Sequence, residues 1–182
     1  MTQLLTGTNL YLTGFKEGDI PLLVKWSRNE KLQRVLDALP YIPKSNDDME
    51  KWISAKDHRS IRLAIRLRES DRLIGYAELD GILWAHRVGG LSILIGEEAH
   101  HGKGYGREAM ECLLAYAFSE LNLHRMQLTV FSYNTRAIRL YESLGFTKEG
   151  SFREFLQRDG SRHDMLLYGM LADEWNSRRR EG

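Results

Sequence analysis

The chain has little of what would place it in several large classes. Cys112 is the one cysteine in 182 residues, so no internal disulfide and no thiolate zinc cage can form, and nothing points to an oxidising compartment. There are three prolines, no Ser/Gly tract and no repeat of solenoid length, which leaves no linker and favours one domain spanning 1–182. Long hydrophobic runs are missing too: Leu113–Phe118 falls far short of the roughly 20 residues that a membrane helix needs. The polar segment Met1–Asn9 lacks the apolar region of a signal peptide. Net charge is almost nil, with 26 Lys plus Arg against 25 Asp plus Glu, which disfavours a dedicated nucleic-acid or polyanion binder. The histidines are scattered, and His100-His101 lacks the spacing of a metal pair, so no metal is expected. The expectation is a soluble, cytoplasmic protein with neither nucleic-acid nor membrane partners.

What is present is the material of a folded core, 42% apolar and 28% charged residues. Leu10–Phe15 reads as a first strand. Asp19 offers an N-cap and Pro21 a first-turn residue for a helix carrying Leu22, Leu23 and Trp26. A second short helix is expected over Ser45–Asp57, with Asp47, Asp48 and Glu50 in its first turn, as the macrodipole favours. Between them the apolar loop Ala38–Pro43 either lines a pocket or packs under the domain, and the second is the expectation. Ile61–Leu67 alternates apolar residues with arginines, and Leu73–Leu79 follows as its hairpin partner across the turn Glu69–Asp71. Leu91–Ile95 reads as a central strand and Gly104–Leu121 as the clearest helix, with Met110, Leu113, Leu114, Ala117, Phe118 and Leu121 on one stripe. A strand over Met126–Phe131, a helix over Asn134–Leu144 stopped by Gly145, and strands from Phe146 and over Asp164–Met170 complete a mixed α/β (α+β) sheet. The Arg178–Arg180 run reads as a frayed, solvated tail.

The most informative segment joins strand Ile93-Leu94-Ile95 to the long helix through His101-Gly102-Lys103-Gly104-Tyr105-Gly106-Arg107. Alternating glycines let backbone N–H groups crowd inward, and the helix N-terminus adds about half a positive charge. Together they suit a phosphate or pyrophosphate, with Lys103 and Arg107 at the rim. A P-loop is excluded by the missing Gly-Lys-Ser/Thr, and a Rossmann fingerprint by Arg107 in its third-glycine position.

This loop resembles the Gln/Arg-x-x-Gly-x-Gly/Ala pyrophosphate motif of the GNAT N-acetyltransferase superfamily. Further on, the run from Asn134 to Phe146 resembles its second signature, Asn-x-x-Ala-x-x-x-Tyr-x-x-x-Gly-Phe. Leu121–Arg125 and the tail from Gly160 to Trp175 are similar to the branch of ribosomal-protein N-terminal and spermidine acetyltransferases. The resemblance implies a GNAT fold, a mostly antiparallel mixed sheet flanked by helices, with acetyl-CoA as co-substrate. It also implies that the pantetheine arm pairs with the backbone of Ile93, Leu94 and Ile95, and that the pyrophosphate sits on the amides of His101–Arg107. Asn134 would contact the pantetheine region and Tyr141 would protonate the departing thiolate. The acceptor would be a small amine such as a polyamine, or a protein N-terminus, attacked directly in a ternary complex. Dimerisation is common in that branch.

The chain departs from that pattern at Gly90, where a carboxylate often stands, so the resemblance supplies no base there. An amine with pKa near 10 must lose a proton before attack. Glu78, a carboxylate interrupting an apolar strand, is the first candidate, with Glu97 and Glu98 behind it. Two other functions use the same loop: a non-catalytic acyl-CoA-binding regulatory module, and a transferase of longer acyl chains.

Overall fold

β-Branched and leucine-rich segments with period-two alternation pair into one seven-stranded sheet, described over residues 3–181 in this computed structural model. The strands are β1 (Leu10–Thr13), β2 (Ile61–Leu67), β3 (Leu73–Leu83), β4 (Val88–Ile95), β5 (Arg125–Phe131), β6 (Thr147–Arg158) and β7 (Ser161–Leu171). Their spatial order is β1-β2-β3-β4-β5-β7-β6, which puts β4 at the centre. Every pairing is antiparallel except β4 with β5. Helices α1 (Ile20–Ser27), α2 (Glu30–Leu36) and α3 (Asn46–Ser54) precede β2. Helix α4 (Tyr105–Ser119) joins β4 to β5, α5 (Thr135–Leu144) joins β5 to β6, and α6 (Ala172–Glu181) ends the chain. Among the described residues, no helix is long and apolar enough to cross a membrane.

Strand alternation sorts the apolar side chains into two clusters. Ile65, Ile74, Ala77, Leu79 and Leu91 pack with Met110, Leu113, Leu114 and Ala117 of α4. Ala64, Leu73 and Leu94 pack with Leu23 and Trp26 of α1. Cys112 is buried in the first cluster, and burial pushes its thiol up to about 11, so it is an inert core residue.

Four local expectations need correction. Helix α2 and helix α6 stand where no helix was expected, the latter anchored by buried Trp175. Leu39 and Ile42 are 68% and 64% exposed, so the Ala38–Pro43 loop lies on the surface and not beneath the domain. Asp19 makes no cap hydrogen bond with its side chain. Its carboxylate instead meets the Arg66 guanidinium, with one nitrogen 2.6 Å from Oδ2, and both side chains are buried. Removing one member leaves the other charge buried alone. Asp19→Ala should therefore lower stability by about 3–5 kcal/mol, read from a denaturant melt; a loss under about 1 kcal/mol would show that the arginine finds water.

Candidate active site

Strands β4 and β5 pair through only three residues, Val88 with Arg125, Gly89 with Met126 and Gly90 with Gln127, and then separate. Beyond Gly90, β4 keeps β3 on one side and has no strand on the other. The Gly96 N–H donates to the Ile74 carbonyl on the β3 side. Alternation therefore turns the peptide groups of Ile93 and Ile95 toward the notch. His101 Nε2 lies 2.8 Å from the Ile95 carbonyl oxygen, which ties the glycine loop to the strand end and uses that carbonyl. The remaining backbone groups can pair with a ligand that carries amide-like donors and acceptors.

Two cavities meet at this notch. One, of about 350 Å³, is lined by Ile93, Ile95, His101, Gly102, Gly104, Tyr105, Gly106, Asn134 and Tyr141. The other, of about 570 Å³, is lined by Trp52, Tyr76, Glu78, Asp80, Gln127 and Glu149 among others. Leu36, Leu91, Ser92, Leu94 and Thr129 border both. A ligand in the first can thus reach one in the second between the parted strands.

The smaller cavity has the loop the sequence singled out. Gly104 is the N-cap of α4 at φ +83°, a left-handed conformation that side chains resist, and a Cβ there would meet open space. The following amides open the helix N-terminus. Lys103 is exposed and stands outside the lining. Arg107 lines the cavity, but its guanidinium is engaged: it donates to Ser143 Oγ at 2.8 Å and pairs with Glu111 at 3.0 Å, fastening α4 to α5. A second cation lines the same cavity, the exposed Arg136 in the first turn of α5, which nothing in the sequence singles out. Asn134 caps α5, its Oδ1 accepting from the Ala137 N–H at 3.2 Å, which leaves its amide nitrogen free to donate to a ligand.

Tyr141 is buried on α5 against Phe146 and Tyr168, at ring-centroid distances of 6.0 and 6.5 Å. Its hydroxyl has no hydrogen-bond partner among the described residues, and burial pushes its pKa up to about 12. The ring is packed away while the hydroxyl faces the cavity, protonated and free to donate.

The larger cavity holds Glu78, but not as a free base. Its Oε1 accepts from Arg62 Nε at 2.7 Å, with both side chains largely withdrawn from water. Burial raises the Glu78 pKa and Arg62 opposes that rise. Arg62 itself lies over Trp52, which stands edge-on to Tyr76 at 5.0 Å. Glu97 is taken up elsewhere: Lys25 and Trp26 donate to it and hold its carboxyl below the usual range. Helix α2 contributes Leu32, Val35 and Leu36 to the smaller cavity, and Gln33 and Leu36 to the larger.

The arrangement suits a cofactor with an amide-bearing arm, an anionic end and a leaving group near a phenol. Residues 9–147 match the acetyltransferase (GNAT) domain family. The chain is 29% identical over 172 residues to the spermidine N(1)-acetyltransferase of Vibrio cholerae, covering 94% of this chain and 98% of that one. A prophage-derived uncharacterized N-acetyltransferase of Bacillus subtilis is 28% identical over 170 residues, covering 93% of this chain and 94% of the relative. The crystal structure of the Vibrio cholerae spermidine N-acetyltransferase with CoA and spermine superimposes with a TM-score of 0.85 at 27% identity, covering 93% of this chain and 99% of that one. The parted strands, the glycine loop and the buried tyrosine therefore have a shared origin: the chain belongs to the GNAT family, and it is an acetyl-CoA-dependent N-acetyltransferase.

Proposed function

We propose that the acceptor is a small polyamine, seated in the larger cavity and acetylated on a primary amine by direct attack through the notch. The observation that carries this is the lining itself. A cavity of about 570 Å³ presents the carboxylates of Asp37, Glu78, Asp80 and Glu149 beside the aromatic walls of Trp52 and Tyr76. Ammonium groups gain from both, through charge pairing and through ring faces. The spermine complex of a relative across the whole fold supports the same class.

On this reading the backbone of Ile93 and Ile95 holds the pantetheine arm, with Leu94 facing the acceptor side, and Asn134 adds a side-chain donor. The amides from His101 through Gly102, Lys103, Gly104, Tyr105 and Gly106 to Arg107 hold the pyrophosphate, with the side chains of Arg107 and Arg136 lining the same cavity. Acetyl-CoA supplies a thioester whose thiol departs as a thiolate. Tyr141 donates the proton to that sulfur.

Thiol release measured with acetyl-CoA against spermidine, spermine and short peptides with free N-termini tests the acceptor. The expected kcat/KM for the polyamines exceeds that for the peptides by at least about tenfold, or about 1.4 kcal/mol in transition-state binding. Preference for the peptides would move the acceptor to a protein N-terminus. Sedimentation of the same sample checks the dimer that completes the reading.

A further inference from the structure

Four carboxylates line the acceptor cavity, and three are engaged. Glu149 receives both arms of the Arg125 guanidinium, one at 2.7 Å. Glu78 receives Arg62 at 2.7 Å. Asp37 Oδ1 accepts from the Leu39 N–H at 2.9 Å. Asp80 has no hydrogen bond and no ion pair among the described residues.

Its place is set by the register. Asp80 pairs with Gly90 across β3 and β4, and Gly90 is the last β4 residue paired with β5. Asp80 therefore stands where the notch opens, on the face shared by Tyr76 and Glu78. A Cβ built on Gly90 would fall 2.1 Å from Asp80 Oδ1. The glycine makes room, and the carboxylate from the neighbouring strand fills the volume that a side chain at 90 would take. No such coupling is visible when β3 and β4 are read separately.

We infer that Asp80 is the carboxylate that receives the acceptor amine and takes its proton, and that Gly90 is the space built for it. The inference rests on amine acetylation at this cavity. An ammonium N–H proton passes to an Asp80 oxygen and on to water. The freed lone pair forms the C–N bond at the thioester carbonyl carbon, the C–S bond breaks, and the sulfur takes the Tyr141 proton. The second N–H proton, released once nitrogen is acylated, restores Tyr141 through solvent. Glu78, fixed by Arg62, is a positioning residue that completes the negative wall.

Partial withdrawal from water raises the Asp80 pKa, and Arg62 opposes the rise. The charged groups around it are Arg62 on β2, Glu78 on β3, Arg125 on β5, Glu149 on β6, and Asp37 and Lys44 from the segment between α1 and α3. Activity should fall as pH drops through the Asp80 pKa, since only the ionised form accepts a proton.

The test uses the full chain with acetyl-CoA and spermidine. Asp80→Asn should lower kcat/KM for spermidine by about 10²–10⁴-fold, remove the acid limb of the pH profile and leave acetyl-CoA affinity unchanged. Asp80→Ala combined with Gly90→Asp returns a carboxylate to the same volume from the other strand, and should recover at least about tenfold over Asp80→Ala alone. Parental rates in Asp80→Asn, or loss of the acid limb in Glu78→Gln in its place, overturn the inference, as does a folded double variant without recovery. A parental enzyme inactive on every amine would instead overturn the function proposed above.

Discussion

Tyr141→Phe is expected to lower kcat by about 10²–10⁴ with acetyl-CoA affinity nearly preserved. The substitution keeps the ring, which is edge-on to Phe146 at 6.0 Å, and deletes only a hydroxyl that no described protein group engages. Stability should therefore hold, because no internal hydrogen bond is lost and the buried apolar surface is kept. The chemical effect is separate. Burial raises the phenol to about 12, so it is neutral throughout the working range and always has a proton to give. A departing thiolate in this half-closed cavity otherwise leaves as a bare anion away from bulk water. Because the group does not titrate below its raised pKa, the pH profile of the variant should keep the parental acid limb at a reduced height. Rapid-mixing kinetics and a calorimetric titration with acetyl-CoA check both halves. Parental turnover with chemistry rate-limiting would return Tyr141 to a packing role.

Gly106→Val should weaken acetyl-CoA binding by at least about tenfold, or about 1.4 kcal/mol, while the melting temperature holds. A Cβ at Gly106 would lie 3.8 Å from Leu140 Cδ2 and 3.9 Å from Ile95 Cγ1, which is ordinary van der Waals contact. Gly106 is the second residue of α4 and is not in the left-handed region, so a side chain there meets no backbone strain. Gly106, Ile95 and Leu140 are all walls of the smaller cavity, so the valine methyls grow into the ligand's space. Gly104 is a poorer probe: its φ of +83° makes any side chain strained by about 1–3 kcal/mol, which mixes folding with binding. Calorimetry and a thermal melt on Gly106→Val decide the matter; parental affinity would remove the loop from the cofactor site.

The parts of the fold that the sequence shows are those with strong local signals. Helix α4 has a long apolar stripe, α5 has Asn134 and Gly145 at its ends, and β2 alternates cleanly. Helix α2 has no fully buried residue; Leu32 and Leu36 pack partly on the second cluster, and Arg34 reaches Asp159 at 2.7 Å on the β6–β7 hairpin. The apolar residues of this helix, Leu32, Val35 and Leu36, do follow the i, i+3, i+4 spacing, and Asn29 caps it, but the pattern spans only about two turns and is too short to stand out. Helix α6 rests chiefly on Trp175, too little for a stripe. The glycine loop stands out through its alternating glycines at a helix start, and Tyr141 is singled out by the run from Asn134 to Phe146 that resembles the GNAT signature. The notch has no such signal, since the parting of β4 from β5 after Gly90 is a property of the sheet. Asp80 is missing from the sequence candidates because the expected strand ends at Leu79, whereas β3 runs on to Leu83; only the tertiary partners, Arg62 for Glu78 and Gly90 for Asp80, tell the two carboxylates apart.

Direct transfer through the notch is tested most closely by initial velocities over a matrix of acetyl-CoA and spermidine concentrations, with the intact mass of the enzyme followed in parallel. The account predicts intersecting double-reciprocal lines, acetylated spermidine formed in step with free thiol, and a protein of unchanged mass. Buried Cys112, with its thiol raised to about 11, offers no covalent way-station. Parallel lines with an acetylated enzyme accumulating before spermidine is added would contradict it.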